Sequence, residues 1–333
     1  MSTAYGLYGH IRANRTRSTI LVVGLFILIY LLVFAFTLAF NGLVMGGEDL
    51  ETILAETWVQ FFYMLPFSTL GGALWVLVGY KFHQRMIDMS TGAKDVSREE
   101  EPDLYNTLEN LCISRGIPMP KLQVIETDVL NAYASGMNEK QYRIAVTRGL
   151  MNTLDREEME AVLGHELTHI RNGDVRLMVV AVVIAGIITL AGELVFRSLR
   201  HMRMGSSSSS GGSKKGGGGA IAILIAVVII AVAWFLSLVI RFALSRSREY
   251  LADAGAVELT KNPDAMIRAL RKIEGKSDMP AVPSGIMEMC IDNQKNSLAD
   301  LFSTHPSIAR RIGKLVAVAG GQEGVPTPNS PST

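Results

Sequence analysis

The chain has 333 residues, of which 49% are hydrophobic and 19% charged, with a mean hydropathy of +0.27. That composition excludes an ordinary soluble globule, so membrane spans are sought first. A formal net charge of +1 gives no basic field for nucleic acid. The two cysteines, Cys112 and Cys290, lack metal-ligand spacing and read as reduced thiols.

Three arginines, Arg12, Arg15 and Arg17, precede Ser18–Phe40, a run of 23 uncharged residues. A signal-peptide core is only about 7–15 residues long, so the run reads as an uncleaved anchor. Phe61–Tyr80 and Ala220–Ile240, with 20 and 21 uncharged residues, are also long enough to span. Leu177–Gly192 reaches that length only by continuing through Glu193 to Phe196, which predicts a shallow, tilted or partly shielded fourth helix. The loop Asn41–Thr57 carries Glu48, Asp49, Glu51 and Glu56 and no basic residue, while Lys81, Arg85, Lys94 and Arg98 follow the second run. The positive-inside tendency therefore puts both flanks of this hairpin (1–80) in the cytoplasm.

Lys81 to Arg176 has the composition of a soluble α+β segment, with a helix expected over Pro102–Arg115 and strands over Lys121–Glu126 and Tyr142–Thr147. A further helix is expected to start near Asp155, capped reciprocally with Glu158, and to run almost directly into the third apolar stretch. The second membrane hairpin (177–240) is interrupted by Gly205–Gly219, built only of Gly, Ser and Lys and expected to be a flexible connection. With Arg197, Arg200, Arg203, Lys214 and Lys215 nearby, an outer location of that loop would break the charge rule, so a shallow cytoplasmic-side hairpin stays open. Soluble character returns over 241–319, with helices expected at Asn262–Glu274 and Pro306–Val318, before a disordered tail at 320–333.

Within the helix from Asp155, His165-Glu166-Leu167-Thr168-His169 puts two imidazoles one turn apart on one face, at a spacing that suits a shared metal ion. Glu166 beside them suits a base that takes a proton from the attacking water and returns it to the leaving amine. Two histidines leave a catalytic zinc one protein ligand short. Among the other histidines, His10, His83 and His201 flank apolar runs and suit interfacial positions. Glu249 and Asp253 offer two carboxylates at i and i+4 just after the last apolar run. One suits the metal and the other a ligand imidazole's spare N–H, while a solvated acidic helix face is the alternative.

HELTHIRNGDV at 165–175, SRSREYLADAGAVEL at 245–259, LFSTHPSIARRI at 301–312 and NAYASG at 131–136 resemble the signature blocks of the HtpX-type bacterial membrane metalloproteases, relatives of the CAAX prenyl-protein endopeptidases. The resemblance covers nearly the whole chain. It implies an α-helical membrane protein with about four transmembrane or membrane-embedded helices and a cytoplasmic zincin-type (gluzincin) α+β catalytic domain assembled from 81–176 and 241–319. It also implies one Zn²⁺ held by His165, His169 and Glu249, with Glu166 as general base and Asp253 and Arg311 beside the ligands. His305 and Arg311 are expected to face the reacting centre and steady the oxyanion, with a structural ion pair to Asp253 as the alternative for Arg311. Asn131 and Ala132 are expected on an edge strand that pairs with substrate backbone. The implied activity is endoproteolysis of misfolded or surplus membrane proteins at the bacterial inner membrane, in quality control and stress response. Polypeptides and the lipid bilayer are then the partners, and the sequence leaves the oligomeric state open. A prenyl-protein endopeptidase is a rival reading, disfavoured because four apolar runs are too few for a large intramembrane chamber. A silent zinc-tied scaffold is another, and it gives Glu166 no task.

Overall fold

A computed structural model of the chain describes residues 7–181, 183–184, 218–242, 247–280, 282–287, 289–292 and 305–321. It divides into two compact units, one made of Thr19–Lys81 and Val180–Arg241, the other of Met1–Ser18, Phe82–Val179 and Phe242–Thr333.

The first unit is built from the apolar runs. Helix α1 (Leu7–Val44) and helix α2 (Leu50–Thr91) extend well past the uncharged stretches they contain, and Gly218–Phe242 is the third long helix, called α6 below. Three segments, Ser18–Val44, Leu50–Thr91 and Gly218–Leu236, are long and apolar enough to cross a membrane. The expected fourth, from Leu177 to Phe196, lies mostly outside the described residues. In α2, Phe62, Phe67, Leu70 and Leu74 are each more than half exposed, an apolar surface that water would disfavour and lipid would cover. Where the three helices meet, Ala35, Leu38, Ile53, Ala222 and Ala226 are fully buried, and Asn41 donates to the Thr57 hydroxyl at 3.1 Å. Small residues there let backbones approach closely. The Gly/Ser/Lys stretch was expected to be flexible throughout, yet its last two residues, Gly218 and Gly219, open α6; 205–217 lie outside the described residues. A β-carbon at Gly219 would fall 2.5 Å from the Gly42 carbonyl oxygen, so glycine there serves packing as well as freedom.

The second unit carries a four-stranded sheet of β1 (Lys94–Asp95), β2 (Lys121–Ile125), β3 (Ala132–Ser135) and β4 (Arg143–Thr147) in the order β1-β2-β4-β3. β2 and β4 are parallel, while β1 and β3 are antiparallel to their neighbours, so β3 is an edge strand. Helix α3 (Pro102–Arg115) occupies the expected residues and buries Leu104, Leu108 and Leu111. After the short α4 (Arg148–Thr153) comes α5 (Arg156–Asn172), the central helix of this unit. Asp155 accepts from Glu158 N–H and Glu158 returns a carboxylate oxygen to Asp155 N–H, both at 2.9 Å, which satisfies two donors at the helix start. From Met159 to Ile170 α5 is buried on almost every side, because other elements surround it. The expected near-direct run into the next apolar stretch is interrupted only at Gly173. Its φ of 71° is left-handed, a backbone that glycine adopts without a steric penalty, and its N–H faces the His169 and Ile170 carbonyls. Helix resumes at residue 174.

Helix α7 (Ser247–Thr260) packs along α5. Closeness depends on glycine: a β-carbon at Gly255 would lie 2.4 Å from Thr168 Cγ2 and 2.6 Å from its hydroxyl. Helix α8 (Pro263–Ile273), capped by Asn262, lies within the expected range and buries Met266, Ile267, Leu270 and Ile273. Helix α9 (Ser284–Met287) is a single turn, and α10 (Ile308–Ala319) closes the unit against α7 and α8.

Candidate metal centre

The HExxH turn lies in the middle of α5, where both imidazoles point at the same spot. Their Nε2 atoms are 3.1 Å apart. Each ring's other nitrogen meets a carboxylate: His165 Nδ1 lies 2.9 Å from Asp253 Oδ1, and His169 Nδ1 lies 3.0 Å from Asp174 Oδ2. A proton on each Nδ1 is thereby fixed by its acceptor, and the two Nε2 lone pairs are left facing each other. Glu249, on the first turn of α7, brings Oε2 to 3.6 Å from His165 Nε2 and Oε1 to 3.7 Å from His169 Nε2.

These three residues fit a metal ion. One atom from each lies within 4.8 Å of the others. Donors placed about 2.1 Å from a tetrahedral zinc stand about 3.4 Å from one another, close to the separations found here. Opposed lone pairs and a buried carboxylate also call for positive charge. Burial works against charging His165, but its hydrogen bonds to the Asp253 and Glu249 carboxylates outweigh it and push its pKa up to about 9. Burial likewise opposes charge on Glu249, yet His305 and His169, with further help from His165 and Arg311, hold its carboxyl well below the usual range.

Glu166 is fully enclosed, and among the described residues neither carboxylate oxygen has a hydrogen-bond partner. Burial raises its pKa, with His165 and His169 pulling the other way. A buried carboxylate without a partner is costly, which sets Glu166 apart from the carboxylates around it. His305 is buried with Nε2 at 3.6 Å from Glu249 Oε1, and burial depresses its pKa to about 4, so it is neutral at pH 7.

Arg311 grips Asp253 with two bonds, Nε to Oδ2 at 2.9 Å and Nη2 to Oδ1 at 2.6 Å, and its Nη1 donates to the Ile291 carbonyl at 2.6 Å. Its guanidinium thus sits behind the carboxylate that orients His165, and its Nη1 is 3.7 Å from Glu249. Asn131 lies one residue before the edge strand rather than within it. Its Nδ2 donates to the Ser277 carbonyl at 2.8 Å and to the Asp292 carbonyl at 3.2 Å, while its Oδ1 accepts from Ala132 N–H. Ala132 opens β3, and its carbonyl accepts from Ile291 N–H at 2.9 Å.

The structure therefore brings together His165, His169, Glu166, Glu249, Asp253, His305 and Arg311, with Asn131 and Ala132 at the start of the neighbouring sheet edge. Sequence reasoning gave no role to Asp174. The signal was present as a carboxylate just past a glycine that ends the helix, five residues beyond the second histidine.

A family model described as peptidase family M48 matches residues 98–319. A protein described as protease HtpX homolog from Bacteroides fragilis (strain YCH46) is 37% identical over 311 residues, covering 91% of this chain and 95% of its own length. One from Listeria monocytogenes (serotype 4a, strain HCC23) is 35% identical over 320 residues, covering 93% and 99%. Among solved structures, the crystal structure of S. mikatae Ste24p aligns with 21% identity and a TM-score of 0.44 over 76% of this chain; the chain spans 58% of the length of that protein. On the family match and the near full-length relatives, the chain belongs to peptidase family M48 and is a metalloprotease.

Proposed function

We propose that the chain is a zinc endopeptidase of the bacterial inner membrane that cuts the cytoplasmic portions of misfolded or surplus membrane proteins, as part of quality control under stress. The observation that carries the chemical part is the orphaned carboxylate of Glu166 beside three residues whose donor atoms converge. In this reading His165, His169 and Glu249 hold one zinc ion, in a zincin-type α+β domain. Bound there, zinc supplies Lewis acidity toward the scissile carbonyl and lowers the pKa of water. Glu166 takes a proton from the attacking water and delivers it to the leaving nitrogen. Asp253, steadied by Arg311, and Asp174 hold the two imidazoles in one tautomer and one orientation. His305, neutral and buried, donates an N–H toward the oxygen that gains charge. The backbone of β3 from Ala132 onward pairs with an extended peptide, which is held through its main chain and read loosely by side chains.

The membrane part is supported by three helices of spanning length and by the basic residues that flank the first hairpin. His169 and Glu249 belong to one centre, so the chain between them crosses a bilayer an even number of times. Glu166→Gln tests the chemistry, because it removes the base and leaves every proposed ligand. Purified in detergent, the variant should retain zinc by elemental analysis and lose proteolysis of an unfolded substrate by about 10²–10⁴-fold. Near-normal turnover with the metal in place would sink the assignment.

A further inference from the structure

The edge of β3 that a substrate would join is taken, in this structure, by the chain itself. Ile291 N–H donates to the Ala132 carbonyl at 2.9 Å, and Tyr133 bridges Cys290 in antiparallel register. A bond from the residue after one bridge partner to the residue before the other is the mark of a non-hydrogen-bonded antiparallel pair, as an extended peptide forms when added to a sheet edge. The same short stretch also occupies nearby side chains. Asn131 donates to the Asp292 carbonyl at 3.2 Å, and Arg311 donates to the Ile291 carbonyl at 2.6 Å. Its end is pinned by Ser277, whose hydroxyl donates to Asp292 Oδ2 at 2.6 Å. Cys290, Ile291 and Asp292 are each 3% exposed or less, and His165, Glu166, His169 and Glu249 are each 4% exposed or less. The strap and the metal-site residues are thus buried together, with Arg311 in contact with both.

We propose that Cys290–Asp292 is a built-in peptide mimic, an autoinhibitory strap that occupies the start of the β3 edge and has to leave before a substrate chain is bound. The inference rests on the reading of β3 as the substrate-pairing strand. It follows that apparent substrate affinity is reduced by the fraction of molecules in which the strap is closed, and that loosening the strap raises affinity without any change at the metal ligands.

Two variants test this on the full-length protein in detergent, in a Glu166→Gln background with fluorescein-labelled β-casein as the probe, so that binding is read without cleavage. Ser277→Ala removes the hydroxyl that pins Asp292 and touches neither β3 nor the proposed ligands. Loss of one net hydrogen bond should tighten casein binding by about two- to tenfold and speed hydrogen exchange at the Ile291 amide by a similar factor. The second variant closes the strap: Tyr133→Cys, with Cys112→Ser, sets a thiol opposite Cys290 in a pairing whose short backbone separation suits a disulfide. Tyr133→Cys also removes a buried phenol bonded to Thr91, so the two redox states of one preparation are compared with each other. Oxidised by glutathione disulfide and verified by mass, it should bind casein at least tenfold more weakly than after reduction. Equal binding by the two redox states, or unchanged binding and exchange in Ser277→Ala, would overturn the strap while leaving the peptidase reading intact. Failure of every form to bind casein, the reduced and Ser277→Ala proteins included, would count against β3 as the substrate strand and remove the strap with it.

Discussion

Gly255→Ala should destabilise the metal centre from a residue that touches no ligand. At an uncrowded helical position, replacing glycine by alanine favours the folded state by about 1 kcal/mol. Here the added β-carbon would meet Thr168 Cγ2 at 2.4 Å and Cβ at 3.0 Å, where ordinary contact begins at 3.4 Å, so α7 has to retreat by 3.4 − 2.4 = 1.0 Å, or Thr168 has to turn. Thr168 is held, because its hydroxyl donates to the Gly164 carbonyl at 2.8 Å. Overpacking of this kind costs about 1–3 kcal/mol, equivalent to a fall of about 2–12 °C in Tm. Asp253 and Glu249 lie two and six residues earlier on the same helix, so a retreat of α7 also pulls both carboxylates from the imidazoles. Zinc affinity, measured by chelator competition, should fall by about 10–100-fold, the range seen when the support of a metal ligand is lost. Gly313→Ala is the matched control, since its β-carbon would meet nothing within 4 Å among the described residues, and it should raise Tm slightly and leave zinc alone. The double variant Gly255→Ala with Thr168→Ala should recover much of the loss, because the colliding atoms are gone. If Gly255→Ala behaved like Gly313→Ala in both assays, the close crossing of α5 and α7 would not be what sets the ligand geometry.

Glu249→Ala should abolish stoichiometric zinc by elemental analysis, whereas Glu258→Ala should keep it, because Glu258 is half exposed and paired with Arg115 at 3.5 Å; the reverse result would mean that the wrong carboxylate has been chosen. Asp174→Ala should weaken zinc binding by about 10–100-fold by freeing His169 Nδ1. Unchanged affinity would leave Asp174 as a residue that only opens the next helix. Topology is open to thiol labelling in a background free of Cys112 and Cys290: cysteines at the exposed positions Asn110 and Glu274 should react with an impermeant reagent only after the cytoplasmic side is opened, and one at Glu48 in intact cells. Outer labelling at Asn110 or Glu274 would overturn a cytoplasmic catalytic unit.

The parts of this site that were readable in the sequence are those whose physics is local. Asp155 and Glu158 announce a helix start, and the spacing of His165 and His169 fixes a shared face, because both depend only on residues within a turn or so of each other. The β3 edge was less legible. NAYASG carries no alternation from which a strand end can be read, so Asn131 was expected on the strand when it precedes it. Its side chain instead ties together Ser277 and Asp292, 146 and 161 residues away, pairings that no local pattern encodes. Gly173 was visible as a helix breaker between an HExxH turn and an apolar run, and the near-direct continuation spans it, because helix resumes at residue 174.

The two metal-facing imidazoles are oriented by carboxylates of different origin, and that difference bears on how the centre assembles. Asp174 follows His169 by five residues across the Gly173 turn, so this half of the site is complete as soon as α5 ends and the next helix begins. His165 depends on Asp253, 88 residues later, and Asp253 depends in turn on Arg311 from a third element. Until α7 has docked, His165 lacks Asp253 on Nδ1 and Glu249 is absent, leaving one oriented histidine where metal binding needs three donors, and until α10 has docked Asp253 lacks its grip from Arg311. High-affinity metal binding thus requires the 81–176 and 241–319 parts of the chain to have met, and metal binding stabilises that meeting by the same free energy. Arg311 spans both processes: it fixes Asp253 on one side and grips the Ile291 carbonyl on the other, so the group that completes the metal centre also holds the strap over it.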